Sequence, residues 1–402
     1  MSEVDSLPSD KVVATQRIIG HIEGARKGPT LVFFAGIHGN EHAGVLALKH
    51  VLKELKQSNL RVSGDVYAVA GNLRALDKKV RFQVEDLNRI WLFKRIESVQ
   101  SKNGECNPEE VELLHLHNTL LKILKSGKPP FYFVDLHTTS SDTKPFVVLN
   151  DSLLNRKFAS NYPLPIILGI EEYLEGALLS YINDLGYVSL GYESGQHDDP
   201  QAVTNCMDFI RFTLHLTESV GLDEYNKMVL NAGGNSLPIF YEIYYQYLID
   251  SGVDFKMLPG FENFQRFPKG TEIAQRNGEV IETDGEKQIF MPLYQDQGNE
   301  GFYFIRPIPK VLLWLSKGFR RFKVDHLLVK LPGIAWKSKT KGTMIVNQKV
   351  ARFMAKSFFH LLGYRARQYG KTHLVIRSRE AVSKTKDYTN TGWFKAKRRG
   401  PY

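Results

Sequence analysis

A chain of 402 residues that is 43 % apolar and 11 % aromatic can bury sizeable cores and is too long for one ordinary domain, which excludes a disordered or fibrous protein. Its formal net charge of +10 is unevenly divided: residues 311–402 hold 22 Lys and Arg against 3 Asp and Glu, a net of +19 that leaves residues 1–310 at −9. No apolar run approaches the roughly 20 residues of a membrane span, and MSEVDSLPSDKVVATQR lacks the basic-then-apolar order of a signal peptide, so a cytoplasmic protein is expected. Cys106 and Cys206 lie in polar contexts outside any CxxC pair, and free thiols are expected of both.

In chain order, apolar runs at about 31–36, 65–70, 131–136, 145–149, 165–170 and 187–192 predict mostly buried strands. Helical segments alternate with them. Glu41 to Gln57 carries apolar residues at helical spacing, while Asn107-Pro108-Glu109-Glu110 supplies an N-cap, a proline at the first helical position and acid in the first turn. Asp199-Pro200 starts another helix by the same logic. This alternation predicts an α/β fold, a doubly wound sheet flanked by helices over residues 1–235. Residues 236–310 change to short β-type runs such as PIFYEIYYQYLI and GFYFIRP, predicting a smaller β-rich region packed on the α/β body, and the prolines of Arg306-Pro-Ile-Pro309 mark the boundary of a basic extension, 311–402.

Three of the predicted strands end in residues that handle metals or protons: His38 and Glu41 after TLVFFAGIHGNE, His137 in FYFVDLH and Glu193 in GYVSLGYES. Two histidines and a carboxylate are the ligand set of a catalytic zinc that keeps a position for water, and a further carboxylate serves as general base. Ligands of an open parallel sheet bind at the carboxyl ends of its strands, where these residues fall. Glu41, three residues from His38, reaches the same ion, and Gly36 and Gly39 allow the tight turn between them. Each piece alone has a plainer explanation. An H-x-x-[DE] pair arises by composition, a histidine after a buried strand is often bonded to backbone, and Glu193 could cap a helix. Asp135 is expected to face away from His137 and to serve as a supporting carboxylate.

Taken together, GIHGNEHAG (36–44), RFQVEDLNR (81–89), VDLHTTS (134–140), YESG (192–195) and, more weakly, NEGFY (299–303) resemble the succinylglutamate desuccinylase/aspartoacylase family of the zinc carboxypeptidase-like superfamily. The resemblance spans about residues 12–305. It implies a mixed, largely parallel sheet and a deacylase with one zinc per chain. His38, Glu41 and His137 would be the metal ligands and Glu193 the catalytic base. Arg81 would polarise the scissile carbonyl as a second catalytic residue, Asn88 and Arg89 would bind the substrate's α-carboxylate, and Tyr303 would contact substrate. An arginine near a developing oxyanion and a guanidinium on a carboxylate suit those roles physically, although Arg81 and Arg89 could instead neutralise Glu85 and Asp86 on a solvated turn.

The side-chain arginine of aspartoacylase-like enzymes, some ten residues before the base, has Asn183 at its place, and no Lys or Arg occurs between Lys157 and Arg211. The partner is thus read as a small N-acyl amino acid or a small peptide, leaving a deacylase, a zinc carboxypeptidase and a non-catalytic binding or targeting protein open. In the tail, apolar residues from Lys349 to Tyr364 could line one face of a helix. The basic tail leaves contact with the enzyme body, with nucleic acid or with an anionic membrane surface open.

Overall fold

The computed structural model describes residues 16–57, 60–221, 238–322, 324–340, 342–350, 362–369 and 372–396. At its centre lie β1 (Ile18–Glu23), β2 (Arg26–Ala35), β3 (Ser63–Ala70), β4 (Phe131–Thr139), β5 (Phe146–Leu149), β6 (Ile166–Leu168), β7 (Val188–Gln196) and β8 (Phe240–Leu248). They form one sheet in the order β1-β3-β2-β4-β7-β5-β6-β8, which the strands Glu300–Pro307, Lys287–Phe290 and Arg266–Phe267 then extend. β3, β2, β4 and β7 run parallel, whereas β5 is antiparallel to β7. The fold is therefore the expected mixed α/β sheet. The edge strand β1, which no apolar run announced, pairs antiparallel with β3.

Period-2 alternation divides the central strands between two cores. Leu31, Phe33 and Ala35 of β2 enter one cluster, and Val32 and Phe34 enter the other, so the strand reads as a continuous apolar run because both its faces are covered. Helices α1 (Ala43–Gln57) and α4 (Pro200–Leu216) pack on the first face. The second face is covered by α2 (Pro108–Ser126) and α3 (Leu178–Asp184). The start of α2 is a full capping box: Asn107 Oδ1 accepts from the Glu110 amide at 2.8 Å, and a Glu110 carboxylate oxygen accepts from the Asn107 amide at 2.9 Å.

Beyond β8 a three-stranded sheet, Phe255–Met257, Glu272–Arg276 and Glu279–Glu282, accompanies the added strands of the main sheet. Helix α5 (Lys310–Arg321) then leads into a four-stranded antiparallel sheet of Ile334–Ser338, Thr343–Asn347, Tyr364–Tyr369 and His373–Ser378. Its own small core includes Met344, Val346, Tyr364 and Ile376. The helix considered for Lys349 to Tyr364 falls mostly outside the described residues, and from Tyr364 the chain is a strand.

This basic region meets acidic groups of the body through ion pairs that are enclosed at Arg320 and Arg379 and half-exposed at Arg377. Arg320 Nη2 lies 2.8 Å from Asp151 Oδ2, Arg379 Nε 3.0 Å from Glu171 Oε1, and Arg377 Nη1 3.1 Å from Asp184 Oδ2. The chain then returns to the α/β core. Tyr388, fully buried, donates its hydroxyl proton to the Phe131 carbonyl at 2.5 Å and accepts from the Val188 amide at 3.0 Å, thereby joining the first residues of β4 and β7. The Trp393 indole donates to the Tyr132 hydroxyl at 2.8 Å and packs edge-on against Phe158.

Replacing Trp393 by Ala removes a buried aromatic ring that this core has no means of refilling. The expected loss of unfolding free energy is about 3–5 kcal/mol, measured by chemical denaturation of the full chain. A loss below about 1 kcal/mol would show that the terminal segment does not belong to the core.

Candidate active site

Adjacent strand ends assemble the site. Ala35 of β2 is in register with Leu136 of β4, and His137 of β4 is in register with Glu193 of β7. Both β4 and β7 run a few residues further than their apolar runs suggest, so His137 and Glu193 lie within the last turns of pleat rather than beyond them. After β2 the chain turns sharply at Gly36, whose φ of +70° favours glycine, and a Cβ on Gly39 would stand 2.1 Å from the Ala75 carbonyl carbon. The turn delivers His38 and Glu41 beside His137.

Glu41 is the hub. Its Oε1 lies 2.8 Å from His38 Nδ1, and its Oε2 lies 2.9 Å from His137 Nδ1 and accepts from the Thr138 amide at 3.1 Å. Burial pushes its carboxyl up, but the two imidazoles outweigh this and hold it well below the usual range. The far nitrogen of each imidazole meets another carboxylate: His38 Nε2 is 3.1 Å from Asp86 Oδ1, and His137 Nε2 is 2.8 Å from Asp135 Oδ2. Asp135 therefore faces the same side as His137, correcting the expectation that it faces away, because residues two apart on a strand share a face.

Ligand atoms of His38, Glu41 and His137 all lie within 4.8 Å of one another, and the three residues are buried. This group fits a metal ion by its donor set, two nitrogens and a carboxylate, and by the carboxylates behind both imidazoles, which fix ring orientation as second partners of ligating histidines do. Glu193 opens into the same pocket with a buried Oε2 that has no hydrogen-bond partner among the described residues. Burial pushes its carboxyl up to about 8, Glu41 and Asp135 adding to the rise against the pull of His137.

Arg81, Asn88, Arg89 and Tyr303 line this pocket too. Arg81 Nη2 lies 3.0 Å from Asp86 Oδ2 and its Nη1 3.8 Å from Glu41 Oε1. Asp86, which burial pushes up, is held well below the usual range by His38, Arg81 and Arg89. Glu85 turns instead to Arg95 and Asn107. Asn88 accepts the Leu178 amide proton at 2.9 Å, tying the pocket rim to the start of α3, and Arg89 Nη2 lies 2.9 Å from Glu300 Oε1.

Two pocket residues were not anticipated. Glu300, within NEGFY, carries no sequence-derived role, and strand alternation sets it opposite Tyr303. The register shift between Glu300 and Phe302 lets both line the pocket. His197, four residues after Glu193, is 2.7 Å from the Thr138 hydroxyl through Nδ1, and burial keeps its pKa low. Its only sequence signal was proximity to the base. Asn183, by contrast, does not line the pocket; α3 contributes Leu179 and Ser180.

A central sheet whose carboxyl ends gather two histidines and a glutamate over a pocket with an unpaired carboxylate defines a hydrolase-type α/β domain. Residues 27–186 match the model of the succinylglutamate desuccinylase/aspartoacylase catalytic domain, and the chain is similar to proteins of that family. It is 26 % identical over 284 residues to a succinylglutamate desuccinylase of Shewanella woodyi, covering 66 % of this chain and 78 % of that protein. A mouse (Mus musculus) aspartoacylase is 31 % identical over 122 residues, 30 % of this chain and 38 % of its own. Among solved structures, a succinylglutamate desuccinylase/aspartoacylase from Rhodobacter sphaeroides shares the fold with a TM-score of 0.53 at 16 % identity, covering 72 % of this chain and 88 % of that one. A succinylglutamate desuccinylase from Vibrio parahaemolyticus gives 0.52 at 15 % identity, covering 72 % and 86 %. The family match ends before Glu193, which geometry alone brings into the site.

The purified chain is expected to bind about one divalent ion, with His38→Ala and His137→Ala abolishing stoichiometric binding and Asp135→Asn weakening it about 10- to 100-fold. Metal analysis after dialysis, together with competition against a chromogenic chelator, measures both. Wild-type affinity in the two alanine variants would refute the ligand set.

Proposed function

We propose that this chain is a zinc-dependent deacylase that hydrolyses the amide bond of a small N-acyl amino acid. The observation that carries the reading is the pairing of a three-residue donor group with the unpartnered Glu193 in one pocket. Held by His38, Glu41 and His137, zinc supplies Lewis acidity and lowers the pKa of water to about 7.

The chain's own residues do the rest. Glu193 takes the proton of the attacking water and returns it to the nitrogen of the departing amine, so one carboxylate acts first as base and then as acid. Arg81, beside Glu41, faces the carbonyl oxygen as it gains negative charge, a role in which a single donor is commonly worth about 10²–10³ in rate. Arg89, with Asn88 fixing the rim, receives the substrate's α-carboxylate, which shares the guanidinium with Glu300. Tyr303, whose hydroxyl accepts from the Gln246 side-chain amide at 3.2 Å, lines the same pocket and contacts the substrate there.

Glu193→Gln keeps the shape and removes the proton acceptor, so kcat should fall about 10²-fold or more while zinc remains bound. Near-normal turnover in the metallated variant would reject the role. The hydrolysis assay uses a panel of N-acyl amino acids and their carboxamides; equal rates on acids and carboxamides would remove the α-carboxylate contact from the reading.

A further inference from the structure

The pocket has two chemically different sides. Arg81 and Arg89 stand on one, and among the described residues that line the pocket no other Lys or Arg appears. Both guanidiniums already face carboxylates, Arg81 on Asp86 and Arg89 on Glu300. The other side consists of Val148, Leu149, Ile170, Leu174, Leu179 and Met291. Val148 and Leu179 belong to one buried cluster with Phe146, Phe290 and Ile305, and the half-buried Ile170, Leu174 and Met291 pack against it, so this wall continues a packed core.

Polar groups on that wall are engaged by the protein or are themselves acidic. Asn150 and Ser180 bond one another at 3.0 Å. Glu171 accepts from the Asp151 amide at 2.9 Å through Oε1 and is held by Arg379, while its buried Oε2 has no hydrogen-bond partner. Among the described residues lining the pocket, a carboxylate entering this side would find no cation and would face Glu171, whose repulsion adds to the cost of its dehydration.

We propose that the substrates are monoanionic: N-acyl amino acids with a single carboxylate, on the Arg89 side, and uncharged, predominantly apolar acyl and side-chain groups against the 148–149, 170–174, 179 and 291 wall. This rests on the deacylase reading and names its substrate class. Discrimination follows from dehydration, since an apolar group gains by burial against the wall whereas a second carboxylate loses its water without a partner.

The test compares kcat/KM of the zinc-loaded full chain for N-acetyl-leucine, N-acetyl-methionine and N-acetyl-phenylalanine with that for N-acetylaspartate, N-acetylglutamate and N-succinylglutamate. The neutral set should be favoured by about 10²-fold or more. Met291→Lys, which places a cation on the half-buried edge of the wall, should raise kcat/KM for N-acetylaspartate by about tenfold or more. A preference of the wild type for the acidic set overturns the proposal and leaves the deacylase reading standing, as does a folded Met291→Lys with unchanged discrimination. Absence of hydrolysis across both sets, with metal bound, overturns the deacylase reading and the proposal with it.

Discussion

Glu41 is a buried carboxylate with an imidazole on each oxygen, and the site is organised around meeting its charge. A carboxylate taken out of water costs several kcal/mol unless it is paired and hydrogen-bonded, so its placement demands that two positive or donor groups converge from different parts of the chain. The parallel pairing of β2 with β4 satisfies that demand. It sets the turn after Ala35 beside Leu136, within one residue of His137. Asp86 and Asp135 then hold the outer nitrogens, and Arg81 and Arg89 balance Asp86 in turn. Carboxylates and nitrogen groups alternate outward from Glu41 in layers.

How much of this could be read beforehand depended on the range of the interaction. Strands β2 to β7 announced themselves because a strand covered on both faces must be apolar throughout, and α2 because its cap is chemically complete within Asn107–Glu110. The candidate metal group of His38, Glu41 and His137 stood out because its residues come just after the apolar runs of β2 and β4. What local pattern did not reveal was orientation and distant pairing. Asp135 required the strand period to be carried through to His137, and Glu300 required a bulge that shows only in the pairing with β8. The neighbours of Arg320, Arg377 and Arg379 lie between about 170 and 210 residues earlier in the chain, beyond any window of sequence reading.

The division of charge seen in the composition acquires a structural sense. Arginines of the basic region sit on Asp151, Glu171, Glu172 and Asp184, and Glu171 belongs to the pocket wall. Arg379 thus links the region of the last described sheet to the wall of the candidate pocket. The half-exposed Arg377–Asp184 pair contributes little to stability, whereas those of Arg320 and Arg379 are enclosed, so losing one of their carboxylates would leave a buried charge less fully compensated.

The closure of the central strands by Tyr388 and Trp393 bears on how the chain is made. β4 and β7 are translated long before the residues that bond their first backbone groups and fill the space beside Tyr132 and Phe158. Until about residue 393 has left the ribosome, the nascent α/β body retains an open seam at the end of its sheet opposite the candidate pocket, with the Phe131 carbonyl and Val188 amide lacking the Tyr388 hydroxyl. A chain truncated before that point would carry every residue of the site and still lack the piece that closes the core beneath it.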